Sequence, residues 1–171
     1  MNQYTIAALV SNKSGVLTRV SSMFARRGYN IESISACKTE DPTLSRLTIV
    51  LNGDDYILEQ MTKQMDKLID VKKIKQVEED AVYRELLLVK LKTDASKRSE
   101  IFELCQIFRA KIVDVSPETT MLELSGKPVK LDGFVNMLMP YGIIELARTG
   151  VTAISRGTKC IRDEADYKEK I

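Results

Sequence analysis

The pattern of apolar residues in this chain predicts the same order of elements twice. Residues 4–77 and residues 86–154 each contain short apolar runs typical of strands and apolar residues at helical spacing, in the order β-α-β-β-α-β. The residues themselves scarcely repeat between the two halves. The acidic stretch Glu78-Glu79-Asp80 separates them. Such a unit folds as a four-stranded antiparallel sheet with two helices on one face. The pattern therefore predicts an α+β chain with two consecutive ferredoxin-like βαββαβ domains.

The first repeat is marked by signals at the ends of its helices. Its predicted elements are a strand over residues 4–10, a helix over 16–27, a hairpin of strands 31–38 and 45–51, a helix over 55–68 and a weaker strand over 71–77. Gly28 follows two arginines, and a glycine there supplies the left-handed residue that ends many helices. Asp54 and Asp55 suit the start of the second helix.

The second repeat has weaker boundaries. Its predicted elements are a strand over residues 86–91, a helix over 101–108, strands over 112–115 and 120–124, a helix over 131–138 and one or two strands within 143–154. Pro140 and Gly142 end the last helix. These boundaries predict a first domain over residues 1–79, a second over 80–158 and a charged tail over 159–171.

Composition excludes several classes of function. The chain has 26 basic and 24 acidic residues, and this near-neutral balance offers no large field for nucleic acid or membrane surfaces. No apolar run approaches the roughly 20 residues of a membrane-spanning helix. The N-terminal sequence lacks the features of a secretory signal, which leads us to expect a cytoplasmic protein.

The residue types available for chemistry are few. The chain has 0 histidines, which excludes Ser-His-Asp and Cys-His nucleophiles and histidine-based zinc sites. Cys37, Cys105 and Cys160 are widely spaced and predict unpaired thiols rather than a metal site. We therefore expect no catalytic residue, metal or cofactor site in this chain.

The loop Asn12-Lys13-Ser14-Gly15 is the first candidate site. It joins the first strand to the first helix, where free backbone N–H groups and the helix dipole favour a carboxylate or phosphate. Gly15 allows close approach to the backbone, and the Asn12 amide offers a donor and an acceptor. A turn glycine with a helix cap from Ser14 or Asn12 is the simpler interpretation of this loop alone.

A second candidate lies where the first helix ends and the second strand begins. Asn30 could accept a hydrogen bond from an amine through its carbonyl oxygen and donate one to a carboxylate through its NH₂ group. Asparagine is also a common turn residue, and that interpretation stays open.

Longer motifs resemble a known family, the small subunits of acetolactate (acetohydroxyacid) synthase. The motifs that carry the resemblance are NKSGVLTRVSSMFARRGYNIESI over residues 12–34, DPTLSRLTI over 41–49, QIFRAKIVDV over 106–115, LDGF over 131–134 and ARTGVTAISRG over 147–157. The resemblance covers about residues 2–157 and leaves the final tail without a counterpart.

The resemblance implies an N-terminal ACT domain that pairs with its copy in a second chain and binds a branched-chain amino acid between them. The implied effector residues are Asn12, Gly15 and Val16 at the carboxylate seat, and Asn30 with Ile31 from the partner chain. Valine is the implied effector. Leucine and isoleucine remain alternatives because Ala36 stands where the family often has a larger aliphatic residue.

The resemblance also implies a regulatory role rather than a catalytic one. The second domain is implied to act with the first in docking on the catalytic large subunit and activating it. That subunit is expected to carry thiamine diphosphate, magnesium and FAD. A stand-alone amino-acid-binding ACT regulator of another biosynthetic enzyme is the main alternative.

Three other interpretations of the same element order are weaker. An RNA-binding domain would carry stacking aromatic residues on its central strands, which residues 6–10 and 47–51 lack. A metal carrier would need paired cysteines in its first loop. A small enzyme would have to use acidic residues such as Asp114, Glu118 and Glu123, and no motif pairs them with a base or an electrophile.

Overall fold

A computed structural model of the chain describes residues 2–162. The elements within these residues, in chain order, are β1 (Asn2–Ser11), α1 (Val16–Ala25), β2 (Ile31–Lys38), β3 (Leu44–Gly53), α2 (Asp55–Asp66), β4 (Val71–Gln76), β5 (Val82–Lys92), α3 (Arg98–Phe108), β6 (Lys111–Val115), β7 (Thr119–Gly126), α4 (Pro128–Leu138), β8 (Ile143–Arg148) and β9 (Thr152–Ile154). A short 3-10 turn, Met139–Tyr141, follows α4.

The described residues divide into two units. One comprises residues 2–82 together with 151–162, and the other is Tyr83–Gly150. The predicted α+β fold of two ferredoxin-like repeats is confirmed, since each unit contains a βαββαβ order of elements. The domain boundaries at residues 79 and 158 stay a prediction, and the compact units differ from them because residues 151–162 pack with the first unit. Residues 163–171 of the predicted tail lie outside the described residues.

The first unit is built on an antiparallel sheet with the strand order β2-β3-β1-β4. The alternation of side chains along β1 places Ile6, Ala8 and Val10 in the core beneath the two helices. From α1, Val20 and Phe24 meet them, both at most 1% exposed. The opposite face of the sheet therefore carries the intervening residues of the strand.

The left-handed glycine predicted after α1 and the aspartate cap predicted for α2 are confirmed, although α1 ends at Ala25 rather than at residue 27. Gly28 has φ +68°, and the backbone N–H of Tyr29 donates to the carbonyl of Phe24 at 3.2 Å, which closes the end of α1. At the start of α2, the Asp54 carboxylate accepts a hydrogen bond from the Ile57 N–H at 2.8 Å. Such a cap satisfies one of the N–H groups that a helix start leaves unpaired.

The second unit has a path of paired strands in the order β6-β7-β5-β8. Leu87, Val89 and Leu91 of β5 are at most 1% exposed and form the floor of its core. The rings of Phe108 and Phe134 lie 5.0 Å apart between centroids and tilt by 45°, which joins α3 to α4. This core shares no residue with that of the first unit.

Candidate functional site

The loop between β1 and α1 leaves the start of α1 without a side-chain cap. Gly15 is the N-cap residue, and its φ of +81° lies in the left-handed region that favours glycine. Among the described residues, no cap side chain accepts a hydrogen bond from the first turn, and that turn contains no acidic residue. The backbone N–H groups at the positive end of the helix dipole are thus open to an anion.

Asn12 uses its side chain to hold this loop against the turn between β2 and β3. Its Nδ2 atom donates to the Pro42 carbonyl at 2.9 Å, and its Oδ1 atom accepts from the Ser45 hydroxyl at 3.1 Å. Its backbone N–H donates to the Thr43 carbonyl at 2.7 Å. The interpretation in which Asn12 or Ser14 caps α1 is therefore wrong. Asn12 retains one further amide hydrogen and one lone pair for a ligand.

The turn that receives Asn12 is itself stabilised by a carboxylate. Asp41 accepts hydrogen bonds from the Thr43 hydroxyl at 2.7 Å and from the Thr43 N–H at 2.9 Å. The Thr43 hydroxyl is the main reason why the pKa of Asp41 lies below its ordinary value. The position of the loop from Asn12 to Gly15 consequently depends on a neighbouring turn.

Val16 and Arg19 flank Gly15 in different ways. The Val16 side chain is 4% exposed and packs in the core, so Val16 has only its backbone N–H to present to a ligand. The Arg19 guanidinium would lie 3.8 Å from a Cβ atom placed on Gly15, and it pairs with Asp70 at 2.6 Å. Sequence reasoning missed Arg19. Its signal is a basic residue in the first helical turn, where the dipole disfavours a cation, and here the Asp70 carboxylate offsets that cost.

Asn30 and Ile31 lie beyond the other end of α1. Asn30 is exposed, and its Nδ2 atom donates to the Glu32 carboxylate at 3.2 Å. Ile31 is half-buried, opposes Leu51 on β3 and packs against the first core. Since Ile31 begins the edge strand β2, both residues stand at a border of the sheet.

One chain does not bring the two groups of predicted residues together. Gly15 precedes α1 and Asn30 follows it, and a helix of 10 residues is about 15 Å long. An amino acid of ordinary size would not span that distance within a single chain. The separation agrees with a site assembled from two chains, and the assignment of these five residues stays a prediction.

The described part of the chain offers little for metal or acid–base chemistry. No group of 3 or more Cys, Asp or Glu side chains there is arranged to hold a metal ion. Glu123, one of the acidic candidates, lies 3.5 Å from Lys111 on the neighbouring strand. None of the described helices is long and apolar enough to cross a membrane.

Comparison with known proteins identifies the family of both halves. A family model described as an AHAS small subunit-like ACT domain matches residues 6–73, and one described as the small subunit of acetolactate synthase matches residues 84–157. The acetolactate synthase small subunit of Mycolicibacterium smegmatis is 50% identical over 159 residues, which cover 92% of this chain and 94% of that relative. This chain belongs to the acetolactate synthase small-subunit family.

Other family members agree over the same length. The acetolactate synthase isozyme 3 small subunit of Salmonella typhimurium is 43% identical over 159 residues, covering 92% of this chain and 98% of that protein. The crystal structure of the acetolactate synthase small subunit from Thermotoga maritima superimposes with a TM-score of 0.88 at 41% identity, covering 93% of this chain and 100% of the other. The resemblance seen in the motifs is confirmed, and the first unit contains an ACT domain.

Proposed function

We propose that this small-subunit chain is the regulatory, non-catalytic partner of an acetolactate synthase. It stimulates the catalytic large subunit and confers feedback inhibition by a branched-chain amino acid, valine before leucine or isoleucine. Family membership over both units supports the role as a subunit. The uncapped start of α1 at Gly15 carries the effector assignment, because it offers free N–H groups in a turn without acidic residues.

The effector site in this proposal lies between two ACT domains. The effector carboxylate binds the N–H groups that follow Gly15, with Asn12 beside it and the Arg19 guanidinium, which also pairs with Asp70, near Gly15. The ammonium group meets the side-chain carbonyl of the partner subunit's Asn30, and the partner subunit's Ile31 borders the aliphatic side chain. The edge position of β2 supports this arrangement, since an unpaired edge favours association with a second copy.

Regulation follows from linkage between effector binding and the state of the assembly. An amino acid that binds one arrangement of the dimer more tightly shifts the catalytic partner by about 1–3 kcal/mol. Sensing of this kind needs only a micromolar to millimolar dissociation constant, equivalent to roughly 8 to 4 kcal/mol. Two charge-assisted contacts and a small apolar pocket are sufficient for that affinity.

The remaining parts of the proposal concern the holoenzyme. Thiamine diphosphate, magnesium and FAD belong to the catalytic subunit, and this chain contributes no cofactor ligand. The holoenzyme works in the cytoplasm, in the biosynthesis of valine, leucine and isoleucine. The family's name supports the pairing with another subunit of acetolactate synthase, and the cofactors and the location are proposed on the basis of that pairing.

Calorimetric titration of the full chain with valine, leucine and isoleucine tests the proposal. We expect valine to bind most tightly and Asn30→Ala to weaken it by about 10-fold, the effect of roughly 1.4 kcal/mol from one lost polar contact. Asn136→Ala, which alters an exposed asparagine on α4, is the matched control and should leave binding unchanged.

A second measurement separates the effector from the partner. Wild type and Asn30→Ala are each added to a purified acetolactate synthase large subunit from a close relative, and acetolactate formation is assayed with and without valine. Both should stimulate the enzyme, and only wild type should make it sensitive to valine. Equal valine sensitivity would refute the effector site, whereas absence of stimulation by either protein would refute the role as a subunit.

A further inference from the structure

A pocket of about 350 Å³ lies on the face of the first sheet that points away from the helices. Ala7 and Leu9 of β1 contribute to its floor, while the alternate residues of that strand face the core. Residues 153–162, which we call the C-terminal strap, lie over this face and belong to the same unit. The pocket therefore lies between the sheet and the strap, and none of the proposed effector residues lines it.

Polar contacts along its length hold the C-terminal strap in place. They are Arg46 Nη2 to the Ala153 carbonyl at 2.8 Å, Arg156 Nε to the Asp80 carbonyl at 2.7 Å, Lys159 Nζ to the Glu78 carboxylate at 2.8 Å and Arg162 Nη1 to the Glu40 carboxylate at 2.6 Å. Two contacts to main-chain carbonyls and two ion pairs thus anchor the C-terminal strap beside the pocket.

The charges that line the pocket are mostly positive. The basic side chains are Lys38, Arg46, Lys75, Lys159 and Arg162, and the acidic one is Glu40. Arg162 pairs with Glu40, and Lys159 pairs with Glu78, which lies outside the lining. Lys75 on the sheet lies near the Glu78 carboxylate, whereas Lys38 and Arg46 form no ion pair with another described residue. An anion would consequently find a favourable potential in this pocket.

Arg46 is the group in greatest need of a partner. It is half-buried, its Nε atom is inaccessible to solvent and makes no hydrogen bond, and no carboxylate of the described residues lies within ion-pair distance of it. Burial lowers the pKa of its guanidinium. A desolvated cation without a counter-ion is costly, and a carboxylate that accepts from a guanidinium edge removes much of that cost.

We propose that this pocket binds a small organic monoanion, a carboxylate with a short aliphatic tail, whose head group pairs with Arg46 and whose tail lies over Ala7 and Leu9. The volume lies near the lower end of the roughly 300–1,000 Å³ typical of ligand pockets, which suits a small molecule. An α-amino acid is disfavoured, because its ammonium group would lie among lysine side chains. The ligand thus differs in class from the effector of the loop at Gly15.

The cysteines provide a reporter for this site. Cys37 is exposed, lines the pocket and lies opposite Arg46 on the neighbouring strand. Cys105 is buried in the second unit, and burial raises the pKa of its thiol to about 11, so little thiolate forms there at neutral pH. The rate at which iodoacetamide alkylates Cys37, measured by mass spectrometry with Cys105 as the unreactive control, reports occupancy of the pocket.

The test uses the full chain and three probes with related shapes. Sodium isovalerate has the carboxylate and the tail, isopentylamine has the same tail with a cationic head, and sodium phosphate has an anion without a tail. We expect isovalerate to slow alkylation of Cys37 at least about 5-fold at about 20 mM, where a millimolar site is nearly filled. Isopentylamine should give no protection, and phosphate should protect less than isovalerate.

Variants then assign the protection to the pocket. Arg46→Met should raise the isovalerate concentration for half-protection by at least about 10-fold, the equivalent of roughly 1.4 kcal/mol. Arg26→Met, which removes an exposed arginine at the end of α1, should leave it unchanged. Because Arg46 also holds the C-terminal strap, Lys38→Glu serves as a second variant that retains the Arg46 contact with Ala153, and it should weaken protection in the same direction.

Several results would overturn the proposal. They are no protection by isovalerate in wild type, protection by isopentylamine equal to that by isovalerate, and unaltered protection in both Arg46→Met and Lys38→Glu. Protection by phosphate that matches isovalerate would overturn the organic carboxylate, since the tail would then contribute nothing. None of these measurements depends on valine binding, so failure of this proposal and failure of the proposed effector site can be distinguished.

Discussion

In both units a short loop precedes the first helix, and the two loops differ in whether they contain a carboxylate. In the second unit, the Asp94 carboxylate accepts hydrogen bonds from the N–H groups of Ser96 at 3.0 Å and Lys97 at 3.1 Å. In the first unit, the loop at Gly15 contains no carboxylate, and Arg19 follows it within the first helical turn. Neither helix start has a side-chain cap, but acidic groups lie beside the start of α3, namely Asp94 in the turn before it and Glu100 in its first turn, whereas the start of α1 has none.

This difference indicates how one topology supports two roles. A helix start attracts anions because of its unpaired N–H groups and its dipole, whatever the rest of the domain does. Asp94 and Glu100 place negative charge beside the start of α3, which disfavours a further anion there. The proposed sensing function therefore depends on the absence of an acidic side chain between residues 12 and 15 as much as on the residues present.

The largest expected effect concerns the independence of the two cores. Phe134 is fully buried in the second unit, and Phe134→Ala should destabilise that unit by about 3–5 kcal/mol through the loss of apolar contacts and the cavity that remains. Hydrogen exchange should accelerate over residues 83–150, while the core amides of the first unit stay protected and valine binding stays within about 2-fold, a change below 0.5 kcal/mol. Phe24→Ala is the matched control in the first core. It should accelerate hydrogen exchange in the first unit and weaken valine binding, while residues 83–150 stay protected.

If Phe134→Ala abolished valine binding, the two loops would have to be treated as one cooperative system. The different residues of the two loops would then not imply separate roles for the two units. Calorimetry and hydrogen exchange on the same sample distinguish the two cases, because a globally unfolded protein loses protection in both units.

Part of this molecule follows from local sequence signals. The order of elements, the glycine at the end of α1 and the Asp54 cap were all predictable, because each depends on residues within one or two turns of one another. Strand ends were less accurate. The first strand was predicted over residues 4–10 and extends over Asn2–Ser11, since pairing with β3 continues past the apolar run.

Contacts between distant residues could not be predicted in this way. Asn12 binds a turn 30 residues further along, and Arg46 donates to Ala153 across 107 residues. Neither contact leaves a periodic signal in the sequence. The function predicted for Asn12 depended on its chemistry alone, and the structure adds that most of this chemistry is used to position the loop. The pocket beneath the C-terminal strap had no sequence signal for the same reason.

Gly15→Asp should remove the difference between the loops by giving the first unit a carboxylate of its own. The substitution puts negative charge and bulk at the proposed effector seat, and we expect valine affinity to fall at least about 30-fold, near 2 kcal/mol. Feedback inhibition should disappear while stimulation of the catalytic subunit persists. Calorimetry and the reconstituted enzyme assay measure the two effects separately.

Gly15→Asn is the matched control for that substitution. Asparagine has nearly the same shape as aspartate, tolerates the left-handed backbone at φ +81° and carries no charge. It should therefore retain more valine affinity than Gly15→Asp. Equal losses of valine affinity in the two variants would mean that bulk or backbone strain at residue 15, rather than charge, weakens binding. Unchanged valine inhibition in Gly15→Asp would refute the site.

The smallest expected effect is a titration confined to the second loop. Hydrogen bonds to the Asp94 carboxylate, first from the Ser96 hydroxyl and then from the Lys97 N–H, hold the pKa of Asp94 below its ordinary value of 3.8. A carboxyl whose pKa is lowered by folding stabilises the folded state above pH 3.8, and this stabilisation is lost as pH falls through the folded-state pKa. The turn at residues 94–97 should thus loosen only in strong acid.

An NMR titration of the Asp94 carboxyl carbon measures this directly. Its midpoint should lie below 3.8 in wild type and should rise towards 3.8 in Ser96→Ala, which removes the largest of the stabilising hydrogen bonds. Residues 12–15 contain no carboxyl group, so the loop at Gly15 has no titration of its own in this range. A midpoint at or above 3.8 in wild type would mean that the hydrogen bonds from Ser96 and Lys97 do not stabilise the Asp94 carboxylate, and the two loops would then not differ in holding an anion.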